Sequence, residues 1–368
     1  MEAQVLSLLE YYKNSNVLTE ITLLQGFKNK SEKAALKKKL KNFNSKVIWF
    51  KGWPGYTFFQ KLSLYSIGKV LDQMDLDPET IIHVRGEIYG AILQAYTNSR
   101  NSGARLLVDL RGIGFEEVSN YYPLNFILKR NKAILFRNSF VKIRNTQITA
   151  VSQAFKDYLV ESHEFKKKNI CVHPNIADKQ FTFSNVLRKQ LRNELGLGDD
   201  KLVAVCSSGG GAAWQKDQEL IEPLMKLEVQ IINLSTNRVE IPGVINKLVP
   251  FALVPAYLAA ADMAILWRDE HIIHKVASPS KFSEFACMGL WVIHNGTVKI
   301  ASDYIKNNHA GLIIKSPNQI TRDKVNLFSN YNREDYSVIG RNTFGVEQIA
   351  QSYIKTYRNI IEGSYHEN

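Results

Sequence analysis

Short apolar runs alternate with helix-spaced apolar patterns along the whole chain, and the alternation happens twice. In the first half the runs are ITLLQ from residue 21, KVIWF from 46, TIIHV from 80, RLLVDL from 105, ITAVS from 148 and KNICVHPN from 168. After about residue 185 the pattern restarts with LVAVCSSGGG from 202, VQIINLS from 229, ADMAILWR from 261, LWVI from 290 and GLIIK from 311. Apolar runs this short, bounded by polar turns and spaced by helical patterns, predict two doubly wound parallel sheets. The seam falls within 173–200, where HPNIADKQF gives way to the polar, basic helix VLRKQLRNELG. The expected division is a Rossmann-like domain over 1–172 and a second over 173–345. A last amphipathic helix, 346–361, carries Ile349, Tyr353 and Tyr357 on one side. It closes the second domain or reaches back to the first.

Within that frame, SPSKFSEFACMGLWVIHN at 278–295 reads as a short helix running into a buried strand. Ser278 is expected to cap the helix, with Pro279 in the first helical position, where a missing N–H costs nothing. Phe282, Phe285, Ala286 and Gly289 follow at i, i+3, i+4, i+7 and form the packed stripe, leaving Lys281 and Glu284 together on a face offered outward. Gly289 ends the helix. A capped helix start presents free N–H groups and partial positive charge, a seat for phosphate to which Lys281 adds a full charge. Glu284, one turn on, suits the vicinal hydroxyls of a ribose. On spacing alone the same residues make an ordinary exposed Lys–Glu pair. The glycine turn SSGGG at 207–211, after a strand and before a helix, adds backbone amides that can approach phosphate, or is a plain structural turn.

Composition narrows the class. At 368 residues, 45% of them hydrophobic, the chain can bury two cores and is no disordered segment. Cys171, Cys206 and Cys287 are far apart and fit neither a disulfide framework nor a zinc site, as in a reducing cytosol. The opening MEAQVLSLLEYYKNSN lacks the basic-then-apolar order of a secretory signal. The stretch 248–267 is apolar enough to mimic a membrane span, but Pro250, Pro255 and Asp262 break it into loop, helix and strand. The formal charge of +12 is clustered in KNKSEKAALKKKLKNF at 28–43 and FILKRNKAILFRNSFVKIR at 126–144. Cations beside apolar residues suit an anionic membrane surface, or a solvated helix face; no nucleic-acid module is present.

The order of motifs resembles that of the bacterial glycosyltransferases of family 4. The pieces are VDLRGIGFEEV at 108–118, ITAVSQAFKDYL at 148–159, ICVHPNIADKQF at 170–181, the glycine turn with Trp214 and Lys216, VPAYLAAADMAILWR at 254–268, and SPSKFSEFACMGLWVI. Together they cover most of the chain from about residue 80 to 320. The resemblance implies a two-domain B-type fold that takes a nucleotide-diphosphate-sugar as co-substrate and passes its sugar, with retention, to a hydroxyl of a cell-surface glycan or lipid-linked acceptor. It implies that Glu284 holds the donor ribose, that Ser280 and Lys281 meet the diphosphate, and that Gly209, Gly210 and Lys216 face it, with Arg268 adding charge. Fixed cations and amides commonly replace a metal in this fold, so none is expected. His83, Arg111 and Glu117, which follow strands of the first domain with Arg85, Asp109 and Glu116, are the catalytic or acceptor-side candidates.

The chain departs from the family in two places. Val276 stands where the family often has a glutamate, so sugar contacts differ or His271 and His274 substitute. The chain also opens in a helix, so the usual first strand is expected to be missing. A cytosolic enzyme at the inner face of the membrane is the leading expectation. A non-catalytic subunit and a nucleotide-sugar epimerase are the alternatives. The sequence is silent on oligomeric state.

Overall fold

The computed structural model describes residues 2–15, 20–41, 43, 45–100, 103–207 and 214–363. It falls into two compact units. The first holds Leu8–His173 together with the chain from Ala350 on; the second holds Pro174–Ile349 together with the chain up to Ser7.

In the first unit six parallel strands alternate with helices. They are β1 (Thr22–Phe27), β2 (Lys46–Lys51), β3 (Ile81–Arg85), β4 (Arg105–Leu110), β5 (Gln147–Ala150) and β6 (Ile170–Val172). Among the described residues β1 pairs with β2 alone, and β3 is the edge of a separate sheet in the order β3-β4-β5-β6. Helices Gln60–Leu71 and Glu87–Arg100 join the two, because Phe50 of β2, Ile67, Leu71, Ile82 of β3 and Ile92 share one apolar cluster. Burying that shared surface is what holds separate sheets in one body. The last helix, Val346–Glu362, places Tyr353 and Tyr357 in this unit, both buried.

The second unit is built on β7 (Val203–Cys206), β8 (Gln230–Asn233), β9 (Ile245–Asn246), β10 (Met263–Leu266), β11 (Trp291–His294) and β12 (Gly311–Ile313), all parallel, in the order β12-β11-β10-β7-β8-β9. Alternate residues feed opposite faces. Val203, Val205, Ala264 and Leu266 pack in one core, and Ala204, Cys206, Met263 and Ile265 in the other. Cover on both faces is why these strands read as continuous apolar runs. The stretch 248–267 resolves into the 3-10 turn Phe251–Leu253, helix Val254–Ala260 and β10.

One buried network was hidden in the basic helix at the seam. Arg192, on helix Asn185–Glu194, has no exposed surface and donates to Asp262 Oδ2 at 2.7 Å and to Ala260 O at 2.9 Å. Arg188 reaches Asp262 Oδ1 at 2.5 Å, and Arg333 donates to the carbonyls of Leu258 (2.6 Å) and Ala259 (3.0 Å). Three guanidiniums therefore satisfy the carbonyls at the end of helix Val254–Ala260 that no intrahelical N–H reaches.

Candidate functional site

In the second unit the chain enters at β7, goes outward through β8 and β9, then returns to β10 on the other side of β7. Ligands of doubly wound sheets bind at the carboxyl ends of strands where the order reverses in this way. The segments leaving β7 and β10 are zipped together there. Gln215 bridges Arg268 antiparallel, Lys216 N donates to Trp267 O at 3.0 Å, and Trp267 N donates to Asp217 Oδ1 at 2.8 Å. From β11, Asn295 Nδ2 holds Arg268 O at 2.5 Å. Gln215 thus lies opposite Arg268 and Lys216 opposite Trp267, Lys216 half-exposed with its ammonium 4.0 Å from Asp269. The segment with Gly209 and Gly210 lies outside the described residues.

Electrostatics mark this crevice. Burial pushes the Asp217 carboxyl up to about 6, against the pull of the Trp267 N–H and of Arg268. Burial lowers the Arg268 pKa in turn, with Asp217 and Asp269 opposing. His274, 4% exposed, is pushed down to about 4 by burial and then by Arg268, so its imidazole is neutral. It lies beside the Trp214 ring at 6.1 Å between centroids. Its short helix, Ile272–Val276, is capped by His271 Nδ1, which accepts from Ile273 N at 3.3 Å, and leads directly to Ser278.

Ser278 does not cap the next helix. Its Oγ accepts from Asn175 N at 3.1 Å, and Asn175 Nδ2 returns a bond to Ser278 O. The helix spans Ser280–Cys287 with Pro279 as an N-cap that has no side-chain hydrogen bond. Proline supplies neither a capping oxygen nor an N–H, so the helix start keeps its amides uncapped by any side chain, a stronger anion seat than a serine cap would leave. Lys281 Nζ sits 2.9 Å from Glu284 Oε2 at this end. The helix is also not half-exposed as its pattern suggests. Glu284 is 4% exposed and Ser283, Cys287 and Met288 are buried too, because helix Arg333–Phe344 covers the second side. Gly340 makes that approach possible, since a Cβ there would stand 1.9 Å from Ala286 O. Gly289, at φ 62°, ends the helix as expected. Burial raises the Glu284 pKa; Lys281 opposes this and Asp178 reinforces it. Val276 is buried, 1% exposed.

The first-unit candidates separate into two groups. His83 and Arg111 gather around Asp109, whose carboxylate takes Arg111 Nε at 2.7 Å and Thr149 Oγ1 at 2.8 Å. Burial would raise the Asp109 pKa, but Arg111, His83, Thr149 and Arg85 outweigh it and hold it low. His83 Nδ1 lies 2.8 Å from Tyr357 Oη. His83 is exposed at the edge strand β3, yet the protein packed against its ring lowers its pKa, Asp109 opposing and Arg111 and Arg85 adding to the fall. Glu117 stands apart, against Gly112 and near Glu87. Glu87 is 6% exposed, its Oε1 has no hydrogen-bond partner, and burial followed by the Glu117 charge pushes its carboxyl up to about 7. Among the described residues there is no group of three or more His, Cys, Asp or Glu that could hold a metal ion.

No protein-family model matches the chain, and no curated protein is detectably similar to it in sequence. Solved structures are similar in shape. A glycosyltransferase from Rickettsia africae ESF-5 superposes with TM-score 0.67 at 15% identity over 94% of this chain and 100% of that one. Anabaena HepE, solved with UDP-glucose, gives 0.66 at 15% identity over 96% and 95%. A putative UDP-N-acetylglucosamine 2-epimerase from Listeria monocytogenes gives 0.57 at 13% over 94% and 98%. The chain has the B-type glycosyltransferase fold. Its halves are the two Rossmann-like domains of that fold.

Three site residues gave no signal in the sequence. Asp217 follows Lys216 in a helix-like polar run, Asn175 and Asn295 sit in loops, and none has a spacing partner. Each acts by holding a backbone segment: Asp217 fixes Trp267, Asn175 fixes Ser278, and Asn295 fixes Arg268. Glu87 was equally silent, as a lone acid at a helix start.

Proposed function

We propose that this protein is a glycosyltransferase of the family 4 kind, moving a sugar from a nucleotide-diphosphate-sugar to a hydroxyl of a cell-surface glycan or lipid-linked acceptor, with retention and without a metal. The observation that carries the reading is the zipping of the segment that carries Lys216 to the segment that carries Arg268 at the switch point, one short helix away from the Ser280–Cys287 start with its Lys281–Glu284 pair. The leaving group of such a transfer is a nucleoside diphosphate, and fixed cations with helix amides stabilise the charge it gains. Glu284, held by Lys281 and otherwise buried, is the residue for the ribose hydroxyls. Similarity to HepE, solved with UDP-glucose, makes uridine the first base to test. His83 and Arg111 around Asp109, and Glu117 beside Glu87, are the acceptor-side and catalytic candidates.

Melting with a panel of nucleoside diphosphates tests the donor site. A diphosphate at 100 times its Kd should add about 2.7 kcal/mol of stability. We expect one diphosphate to raise Tm and Lys281→Ala and Glu284→Ala each to erase the rise; no shift with any base, with or without divalent cation, refutes the site. The likeness to the Listeria epimerase supports a second reading, an epimerase of the same architecture. Conversion of a nucleotide sugar to its epimer without any acceptor, followed by NMR, would select it.

A further inference from the structure

Two helical stripes on the first unit expose apolar and cationic side chains together. On helix Phe126–Lys142 the residues Ile127, Arg130, Ile134, Arg137 and Val141 follow at intervals of three and four and are all exposed, Ile127 by 77%. Phe126, at the helix start, is exposed by another 77%. From the turn Thr57–Phe59 into helix Gln60–Leu71, Phe58, Leu62, Tyr65 and Lys69 keep the same spacing, with Phe58 64% and Tyr65 61% exposed. The stripes meet where Asn131 receives Thr57 N at 3.1 Å and donates to Thr57 Oγ1 at 2.8 Å. They therefore form one surface.

Isolated exposed apolar residues mean little, but a cluster of large ones marks a contact surface. Charge identifies its partner. The segments 53–71 and 122–142 contain seven cations, Lys61, Lys69, Lys129, Arg130, Lys132, Arg137 and Lys142, and no Asp or Glu at all. Lys132 lies over the Tyr122 ring at 4.5 Å and Lys69 over the Tyr65 ring at 4.7 Å, so these stems lie along aromatic surface with their heads outward. Aromatic and aliphatic side chains interleaved with cations, with no acid in either segment and Glu116 of helix Gly114–Tyr121 near enough that it and Arg137 both act on Tyr158, are the pattern of a surface that lies in the headgroup region of an anionic bilayer. A second copy of this chain would bring its own seven cations against these, and a protein partner would need a wholly acidic apolar face.

We infer that this face docks on an anionic lipid bilayer, Phe126, Ile127 and Phe58 entering the headgroup boundary while Arg130 and Arg137 meet lipid phosphates. No helix among the described residues is long and apolar enough to cross a membrane, so the contact is peripheral. The inference does not depend on the donor site and fails or stands separately from it.

Vesicle flotation of the full chain is the test, with phosphatidylcholine alone and phosphatidylcholine with a quarter phosphatidylglycerol. We expect flotation with the anionic vesicles only, weakening as salt rises. Arg130→Glu with Arg137→Glu should lower affinity at least 25-fold, about five-fold for each cation removed, the equivalent of about 1 kcal/mol each. Lys247→Glu with Lys306→Glu, the same charge change at exposed positions of the second unit, should leave binding within two-fold. Phe126→Ser with Ile127→Ser should abolish flotation without moving Tm, since both side chains are exposed. No flotation, equal binding to neutral vesicles, or equal loss in the two charge-reversal pairs would overturn the inference. So would a dimer by gel filtration that the Phe126 and Ile127 substitutions dissolve.

Discussion

Replacing Glu87 by Gln should stabilise the first unit, and by an amount that depends on pH in a defined way. Glu87 starts helix Glu87–Arg100, 6% exposed, with Oε1 unpartnered and the Glu117 carboxylate nearby. Its pKa stands at about 7 in the folded chain against an ordinary 4.5. The folded state therefore holds this proton more tightly than the unfolded state. Below pH 4.5 both states are protonated and the group is neutral to stability. As pH rises through the window to about 7, the unfolded chain gives up its proton first and stability falls. The shift of about 2.5 units at 1.36 kcal/mol per unit gives a loss of roughly 3 kcal/mol, complete above pH 7. Gln keeps the shape and removes the ionisation. The difference in stability between the variant and the wild type should thus rise by about 3 kcal/mol between pH 4.5 and 8, or about 6–12 °C in the melting transition of a unit of this size. Taking the difference cancels the titrating groups that are not coupled to Glu87, Glu117 being the one that is. A difference that stays flat from pH 4.5 to 8 would refute the buried carboxyl, and with it the reason for placing Glu87 beside Glu117 in the acceptor-side group.

Asp262→Asn removes the buried carboxylate that Arg188 and Arg192 both bind and whose charge supports Arg333, and should cost about 3–5 kcal/mol in urea unfolding. An effect below 1 kcal/mol would mean the guanidiniums are satisfied by the Leu258–Ala261 carbonyls alone. Gly340→Ala drives a methyl into Ala286 O, and should cost about 1–3 kcal/mol and weaken nucleoside diphosphate binding by shifting the Ser280–Cys287 helix; unchanged binding would separate that helix from the donor site. His294 has the opposite pH sign to Glu87. Burial holds it at about 4 against an ordinary 6.5, Nδ1–H donating to Leu266 O at 2.8 Å and Nε2 accepting from Val298 N at 3.2 Å. Its contribution is present above pH 6.5 and lost as pH falls towards 4, by roughly 3 kcal/mol, so His294→Gln should flatten that part of the wild-type profile.

Strands were legible wherever both faces of a sheet are covered, because a buried parallel strand must be apolar throughout. Each expected run became a strand, and among the described residues only Ile245–Asn246 was missed, since two residues carry no period. Residues whose role is set by distant partners were not legible. Ser278 looks like a cap because serine before proline at a helix start usually is one. Here the loop from β6 brings Asn175 close enough to take its oxygen, and that contact has a sequence separation of 103. The buried arginines show the same limit. A run such as VLRKQLRNELG reads as surface because an unpaired cation pays a large desolvation penalty inside. Nothing local announces that Asp262 and four helix-end carbonyls await Arg188, Arg192 and Arg333. The donor-site residues fall between these cases. Lys281 and Glu284 are three apart on one helix, so their pairing could be read from spacing. That the segments carrying Lys216 and Arg268 are joined could not, because it depends on the order in which β7 and β10 lie side by side. Sequence-local chemistry was therefore visible to the extent that one element supplies it. The part of the site assembled by topology had to be seen in the folded chain.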